Sequence, residues 1–228
     1  MEIINFDLKQ QQDNVHHFLL PNNIRCIISG PSYCGKTNLM LNLLLTDGYL
    51  NYNKLYIYSK SLDQDKYQLV KQWSDSLNLN TATFCSSQNE IIPVNKHDPN
   101  KKTIVVFDDV MLANQKPMAE YFTQGRHYNI DCFYLVQNFF EVPKHTIRDN
   151  ANFLVMFQQD FNNQRAIYNT YVMGDMDFEE FIEFFRQCTI DRFGFCVIDL
   201  TSDPFNGKYR KTFDEFYIPR IYYSKNIY

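Results

Sequence analysis

Short, continuously apolar segments recur along the chain, and the longer ones do not alternate between apolar and polar residues. Six such segments are rich in β-branched and aromatic residues and are interpreted as strands: residues 24–29, 54–58, 82–85, 103–107, 132–136 and 153–157. A strand that is apolar on both sides is buried on both faces of its sheet. The pattern therefore predicts an α/β fold whose mainly parallel central sheet is covered by helices on both faces.

Between these segments, apolar residues return at the three- and four-residue spacing of helices. Residues 65–77 are an example, because Tyr67, Val70, Trp73 and Leu77 follow that spacing. Helices are predicted over residues 38–45, 65–77, 111–128, 161–172 and 175–190, a long loop over 86–102, and a further strand over 193–200.

A glycine-containing octapeptide links the first predicted strand to the first predicted helix. Its sequence, Gly-Pro-Ser-Tyr-Cys-Gly-Lys-Thr, has the spacing and the flanking elements of a Walker A phosphate loop. The glycines let backbone N–H groups point inward at the positive end of a helix, Lys36 can reach the β- and γ-phosphates, and Thr37 can ligate Mg²⁺. A glycine turn before a buried helix is the alternative. The residues expected to bind ATP are Gly30, Pro31, Ser32, Tyr33, Cys34, Gly35, Lys36, Thr37 and Asn38.

Two adjacent carboxylates, Asp108 and Asp109, follow the strand predicted over residues 103–107. In a P-loop protein the first carboxylate at this point holds the Mg²⁺ shell, so we assign Asp108 to the metal together with Thr37. The next carboxylate can polarise the attacking water, so Asp109 is the expected catalytic base. Strands also commonly end in turn-forming Asp, which is the alternative interpretation.

Gln137 ends the strand predicted over residues 132–136. In P-loop NTPases with an extra strand between the two motifs, a polar residue at this position senses the γ-phosphate and orients water. A strand that simply ends in a polar residue is the alternative. The expected fold is therefore a P-loop NTPase of the RecA-like (ASCE) class, with Gln137 as a third catalytic residue.

Arg126 and Arg148 are candidates for an arginine finger, which stabilises charge on the transferred phosphate and is often supplied by a neighbouring subunit. Arg126 ends the helix predicted after the acidic pair, and Arg148 precedes the strand predicted over residues 153–157. A surface salt bridge or a favourable charge at a helix C-terminus is the alternative for each. Besides Lys36, we expect no other well-placed cation for the γ-phosphate.

The chain is interpreted as one domain with short extensions. Residues 1–23 form a polar lead-in that is expected to pack beside the nucleotide site, and residues 24–160 form the ATPase core. Residues 161–216 complete the same domain with helices and a strand, and residues 217–228 form a tail.

A net charge of −4 over 228 residues does not suit a protein that coats nucleic acid with a basic surface. Any contact with DNA must then be local, and Lys208, Arg210 and Lys211 provide one basic stretch. The six cysteines form no C-x-x-C pair and are expected to be reduced. No apolar run approaches the roughly 18 residues needed to cross a bilayer, so a soluble protein in a reducing compartment is expected.

Three segments together resemble the poxvirus-type genome-packaging ATPases of the FtsK–HerA superfamily, found in large DNA viruses, virophages and Polinton-like elements. They are the octapeptide at residues 30–37, the strand and acidic pair at 104–109, and the most specific block, Gly-Arg-His-Tyr-Asn-Ile at 125–130 continuing to Gln137. Residues 56–61 followed by Tyr67 are also similar. The resemblance spans residues 24–157, and Asp109 departs from the Glu that is usual in the superfamily.

The resemblance implies an ATP- and Mg²⁺-dependent translocase that threads double-stranded DNA into a preformed capsid. It implies a homo-oligomeric ring, a pentamer or a hexamer, with capsid or portal components as partners. The implied location is the host cell cytoplasm or a viral factory, with association with the virion as a further alternative.

Three other functions remain as alternatives. A cellular DNA-pumping ATPase of the same superfamily usually carries extra membrane or DNA-reading domains. A small-molecule kinase needs an arginine-rich lid, and the chain shows no arginine cluster between its predicted strands. A nucleotide-dependent switch or scaffold would be favoured if an acid or sensor were missing, whereas Asp108, Asp109 and Gln137 are all present.

Overall fold

The computed structural model describes residues 15–63, 65–76 and 82–223. The described residues form a nine-stranded sheet in the order β3-β2-β4-β5-β1-β6-β7-β8-β9. The strands are β1 (Arg25–Ser29), β2 (Lys54–Ser59), β3 (Ala82–Cys85), β4 (Thr103–Asp108), β5 (Ile130–Val136), β6 (Phe153–Met156), β7 (Cys196–Asp199), β8 (Tyr209–Lys211) and β9 (Glu215–Tyr217).

The first six strands run parallel to one another, and the last three are added antiparallel at one edge. β5 pairs with both β1 and β4, so it is the single strand between them. Side chains in these three strands are almost completely buried, which explains why their sequences do not alternate. The predicted mainly parallel sheet is confirmed.

Helices cover both faces of the sheet, as predicted. They are α1 (Lys36–Leu45), α2 (Asp65–Ser76), α3 (Lys116–Gln124), α4 (Phe161–Ile167, continued by a π-helical turn over Tyr168–Val172), α5 (Phe178–Thr189) and α6 (Arg220–Tyr223). Apolar residues of α1 and α2 pack with alternate strand residues in one core. Residues of α3, α4 and α5 pack in a second core on the opposite face.

The helix predicted over residues 111–128 is shorter than expected, because its first turns are replaced by a polar turn. The Gln115 side chain donates hydrogen bonds to the carbonyls of Val110, Met111 and Ala113, and Asn114 Oδ1 accepts from Lys116 N at 3.1 Å. These bonds satisfy backbone groups outside a helix, as Asn and related side chains commonly do. Pro117 then lies in the first turn of α3, where its missing N–H costs little.

The described part of the lead-in, residues 15–23, packs at the amino end of the sheet, so for these residues the predicted place beside the nucleotide site is wrong. His16 Nε2 lies 2.7 Å from Asp131 Oδ2, and Ile24 N donates to Asp131 Oδ1 at 2.7 Å, where β1 and β5 begin. Lys102 Nζ is also 2.7 Å from Asp131 Oδ2. This amino-end cluster of His16, Lys102 and Asp131 fixes the chain that enters β1. Residues 1–14 lie outside the described residues.

Residues 217–223, assigned from the sequence to the tail, include the end of β9 and the helix α6. Tyr217 belongs to β9 and pairs with Tyr209 in β8. Its hydroxyl donates to Glu180 Oε1 at 2.7 Å, and Arg220 N donates to the same oxygen at 2.6 Å. Glu180 of α5 therefore anchors the last strand and the start of α6. Residues 224–228 lie outside the described residues.

Replacing Asp131 with Asn should destabilise the fold strongly, because the Lys102 ammonium would remain buried without its carboxylate. We expect a loss of about 3–5 kcal/mol in the free energy of unfolding, measured by urea denaturation. Glu215→Gln is the matched control, since the Lys211–Glu215 pair is 3.7 Å apart with the glutamate side chain 64% exposed. Its loss should stay below about 1 kcal/mol, and equal losses in the two variants would contradict the account.

Candidate functional site

The phosphate loop connects β1 to α1 and is fixed by close packing around Gly30. Gly30 N donates to the Val136 carbonyl at 3.2 Å, which ties the loop to the end of β5. A Cβ atom at Gly30 would lie 2.6 Å from Phe157 Cβ and 2.7 Å from Cys34 Sγ, so only glycine fits. Gly35 has a φ of +113°, in the region where glycine is favoured. The two glycines therefore allow the turn that the sequence motif predicts.

Lys36 begins α1 and is 9% exposed. Its ammonium donates to the Gly30 carbonyl at 2.6 Å and to the Pro31 carbonyl at 2.9 Å, so the side chain folds back over the loop. Burial lowers the pKa of Lys36, while the neighbouring Cys34 and Asp108 side chains oppose that shift. The ammonium is thus held at the loop by carbonyl groups that a phosphate oxygen can replace.

Thr37 and Asp108 meet at the carboxyl edge of the sheet. Thr37 Oγ1 donates to Asp108 Oδ2 at 3.0 Å, although the two residues are 71 positions apart in the chain. The loop after β1 and the acid that ends β4 therefore converge, as the assignment of Thr37 and Asp108 to one metal requires, and β5 is the strand between β1 and β4. A hydroxyl and a carboxylate are the hard oxygen ligands that Mg²⁺ takes when phosphate and water complete its octahedron. The donor set therefore fits the predicted metal.

Asp108 also accepts a hydrogen bond from the Tyr67 hydroxyl, again at Oδ2. Tyr67 lies in α2 and is buried, with 2% of the residue exposed. Burial, followed by the Asp108 charge, raises the pKa of Tyr67, so the hydroxyl stays protonated. Burial raises the pKa of Asp108, whereas bonds from Tyr67 and Thr37 and the Lys36 charge lower it.

Asp109 is exposed and adopts a φ of +56°, which is uncommon for a residue other than glycine. Asp and Asn tolerate this left-handed conformation better than most residues. Ser61 Oγ, from the segment after β2, donates to Asp109 Oδ2 at 3.0 Å. The Ser61 bond therefore fixes one oxygen of the Asp109 carboxylate.

A cavity of about 780 Å³ joins these groups at the carboxyl edge. The predicted residues that line it are Ser32, Tyr33, Gly35, Lys36, Thr37, Asn38, Asp108, Asp109 and Gln137. A smaller cavity of about 250 Å³ adjoins the other side of the phosphate loop and is lined by Pro31 and Cys34 together with Phe157, Gln158 and the turn before β7. The two cavities share Ser32, Tyr33 and Arg192.

Three cations that the sequence analysis missed, Lys60, Lys66 and Arg192, also line the larger cavity. The expectation that Lys36 is the only well-placed cation is therefore wrong. Lys60 could have been found, because it follows β2 at the edge where all parallel strands end. Arg192 could not, since it precedes β7, and only the antiparallel direction of β7 brings its amino end to this edge.

The two arginine-finger candidates lie outside this cavity. Arg126 is exposed in the turn before β5, at the opposite end of the sheet. The seven residues of β5 separate it from the site by roughly 20 Å at ~3.3 Å per residue. Within one subunit it cannot reach its own nucleotide site.

Arg148 is buried, and its guanidinium lies 5.2 Å from the centre of the Phe139 ring and 5.9 Å from that of Phe140. With only 8% of the residue exposed, it is not presented to a neighbouring subunit. The structure therefore argues against Arg148 as a finger and favours a packing role under the loop that follows Gln137.

The cations of the basic stretch at residues 208–211 form ion pairs with carboxylates of this chain. Arg210 is 3% exposed and its Nη2 lies 2.6 Å from Asp199 Oδ2, while Lys208 pairs with Asp175. Lys211 lies 3.7 Å from Glu215. The structure therefore argues against this stretch as a DNA-binding patch, because β8 turns Arg210 inward and the other two cations face carboxylates.

The family described as Poxvirus A32 protein matches residues 12–199, which is most of the 228-residue chain. The chain belongs to the poxvirus A32 protein family. The resemblance seen in the phosphate loop, the acidic pair and the block ending at Gln137 is therefore confirmed. No curated protein sequence matches this A32-family chain.

Solved structures share the fold of this A32-family protein. The genome-packaging NTPase B204 from Sulfolobus turreted icosahedral virus 2, in complex with AMP, has a TM-score of 0.55 and 13% sequence identity, over 80% of this chain and 95% of that chain. B204 from Sulfolobus turreted icosahedral virus, described as a DNA-packaging ATPase, has a TM-score of 0.55 and 16% identity, over 79% of this chain and 94% of that chain. The same fold has thus been solved with a nucleotide bound.

Replacing Gly30 with Ala should displace the phosphate loop, because the new methyl group would overlap Phe157 and Cys34. We expect a loss of about 1–3 kcal/mol in unfolding free energy and at least tenfold weaker binding of a fluorescent ATP analogue. Gly174→Ala is the matched control, because a Cβ there meets nothing within 4 Å. If Gly30→Ala bound the analogue as well as Gly174→Ala does, the described packing of the loop would be incorrect.

Proposed function

We propose that this A32-family protein is an ATP-hydrolysing motor that moves double-stranded DNA into a preformed viral capsid. The observation that carries the proposal is the convergence of Lys36, Thr37, Asp108 and Asp109 on one cavity at the carboxyl edge of a parallel sheet. Membership of the A32 family supports the viral role, and the packaging role printed for the structurally similar B204 proteins supports the substrate.

In the proposed reaction, the phosphates of ATP lie along the backbone N–H groups of residues 30–37. The Lys36 ammonium exchanges its two loop carbonyls for phosphate oxygens, and Thr37 and Asp108 would hold the Mg²⁺ shell. When bound, Mg²⁺ would neutralise negative charge on the phosphates. The smaller cavity adjoining the loop is the proposed place of the nucleoside.

Asp109 is the proposed group that polarises the attacking water, and Gln137 is proposed to orient it. Both line the cavity, and the bond from Ser61 gives Asp109 a defined direction. Lys60, Lys66 and Arg192 place further positive charge around the same space, where it can stabilise the charge that develops on the transferred phosphoryl group.

A homo-oligomeric ring of five or six subunits is the proposed working assembly, with capsid or portal components as partners. Arg126 is exposed at the end of the sheet remote from its own cavity, so a ring is the arrangement in which it can act as a finger on a neighbour's nucleotide. The proposed location is the host cytoplasm or a viral factory, or the virion. Among the described residues, no helix has the length and apolarity needed to cross a membrane.

Lys36→Ala and Asp109→Asn should separate nucleotide binding from turnover. The first removes charge from the phosphate cradle and should weaken ATP binding at least tenfold. The second leaves the cradle intact and keeps a residue that tolerates positive φ, so binding should stay within about twofold while hydrolysis falls at least a hundredfold. Calorimetric titration and a phosphate-release assay measure the two effects. If Asp109→Asn hydrolysed ATP at the wild-type rate, the catalytic base would have to be assigned to another residue. If the unmodified protein bound ATP without hydrolysing it, the protein would be a nucleotide-dependent switch.

Mixing two inactive variants should restore activity if Arg126 acts between subunits. Arg126→Ala keeps a complete cavity and lacks the finger, whereas Asp109→Asn keeps the finger and lacks the base. In mixed rings, Arg126 of an Asp109→Asn subunit can reach the complete cavity of an Arg126→Ala subunit, so a measurable part of the wild-type ATPase rate should return. The gain should be detectable, because an arginine finger increases the rate by about 10³–10⁵ in other systems.

Arg186→Ala, which changes an exposed arginine of α5, is the control and should retain wild-type activity. If Arg126→Ala alone were fully active, or if mixtures stayed inactive while each variant still assembled, the shared-site proposal would be contradicted.

A further inference from the structure

Asp108 is the expected metal carboxylate, yet its position is set by a residue from a different element. Two hydroxyl groups donate to the same oxygen, Oδ2: Thr37 Oγ1 at 3.0 Å and the Tyr67 hydroxyl. Thr37 is itself an expected ligand of the metal, so its hydroxyl is not an independent support for the carboxylate. The Tyr67 hydroxyl is an independent support, because it belongs to α2 and is not an expected ligand of the metal.

The packing of the Tyr67 ring fixes the position of its hydroxyl. Its ring is packed in the core between α2 and the sheet, with only 2% of the residue exposed. Ser59, which is also 2% exposed and pairs with Asp108 in the β2–β4 register, adds a second buried residue beside the acid. Such a rigid donor restricts the Asp108 carboxylate to one orientation.

We propose that Tyr67 is a positioning residue that orients the Asp108 carboxylate for the metal–nucleotide complex, so that its hydroxyl determines divalent-cation affinity. This inference rests on the proposed function, because it concerns the metal of the same ATP site. A hydroxyl that served only to fill the core would affect folding stability and would leave metal affinity unchanged.

The test uses Mn²⁺ as a paramagnetic substitute for Mg²⁺ and a non-hydrolysable ATP analogue. Tyr67→Phe keeps the buried ring and removes only the hydroxyl. We expect the Kd for Mn²⁺ in the analogue complex, measured by electron paramagnetic resonance, to rise 10- to 100-fold, as is usual when a group supporting a metal ligand is lost. Binding of the analogue in the presence of a chelator should stay within about twofold of wild type, because the phosphate loop is untouched.

Tyr58→Phe is the matched control. Tyr58 is also 2% exposed and lies in β2 one position before Ser59, but it packs in the core on the opposite face, where its hydroxyl accepts from Ile92 N at 3.1 Å. This variant should leave both affinities within about twofold of wild type.

A second comparison tests whether Tyr67 acts through Asp108. In an Asp108→Asn background, Tyr67→Phe should weaken Mn²⁺ binding much less than it does in the wild-type background. The reason is that the charged carboxylate that Tyr67 orients has already been removed. Equal effects in both backgrounds would overturn the proposal.

The remaining outcomes are also decisive. Wild-type Mn²⁺ affinity in Tyr67→Phe would overturn the inference and leave the proposed function standing. If Tyr67→Phe weakened Mn²⁺ binding and the metal-free binding of the analogue to the same extent, Tyr67 would have a purely structural role. That result would also overturn the inference. If the wild-type protein bound neither the analogue nor Mn²⁺, the proposed function itself would fail, and the inference with it.

Discussion

The convergence of Thr37 and Asp108 depends on the position of β5 between β1 and β4. All three strands are parallel and buried on both faces, so their carboxyl ends lie at one edge and cannot shift relative to one another without disrupting both cores. The phosphate loop leaves that edge from β1 and the acidic pair leaves it from β4. The 3.0 Å contact between residues 71 positions apart is thus a product of strand order. Ligand binding at the carboxyl ends of a parallel sheet is a general property of such folds.

The two ends of the sheet serve different purposes. At the amino end, Asp131 is fully buried, and its carboxylate is paired with His16, Lys102 and the N–H of Ile24. These contacts fix the chain that enters β1. At the carboxyl end, a large cavity is lined by carboxylates, cations and side-chain amides. The charges at the amino end stabilise the fold, whereas those at the carboxyl end are available for chemistry.

Much of the fold and of the site was predictable, because it follows from patterns within short segments. Continuous apolar runs reveal buried strands, and the octapeptide at residues 30–37 and the acidic pair name the central groups. The missed features depend on contacts between distant segments. Nothing in the helical spacing of Tyr67 shows that its hydroxyl meets Asp108, and nothing in the basic run at residues 208–211 shows that Arg210 turns inward to Asp199. β8 and β9 have three residues each, too few to show a pattern.

The most direct test of the central claim is the rate of ATP hydrolysis by the purified protein with and without double-stranded DNA, measured over a range of protein concentrations. A DNA-moving ATPase that shares its sites between subunits should hydrolyse ATP faster per subunit as concentration rises, and double-stranded DNA should increase the rate further. A rate per subunit that is independent of concentration and unchanged by DNA would contradict the account.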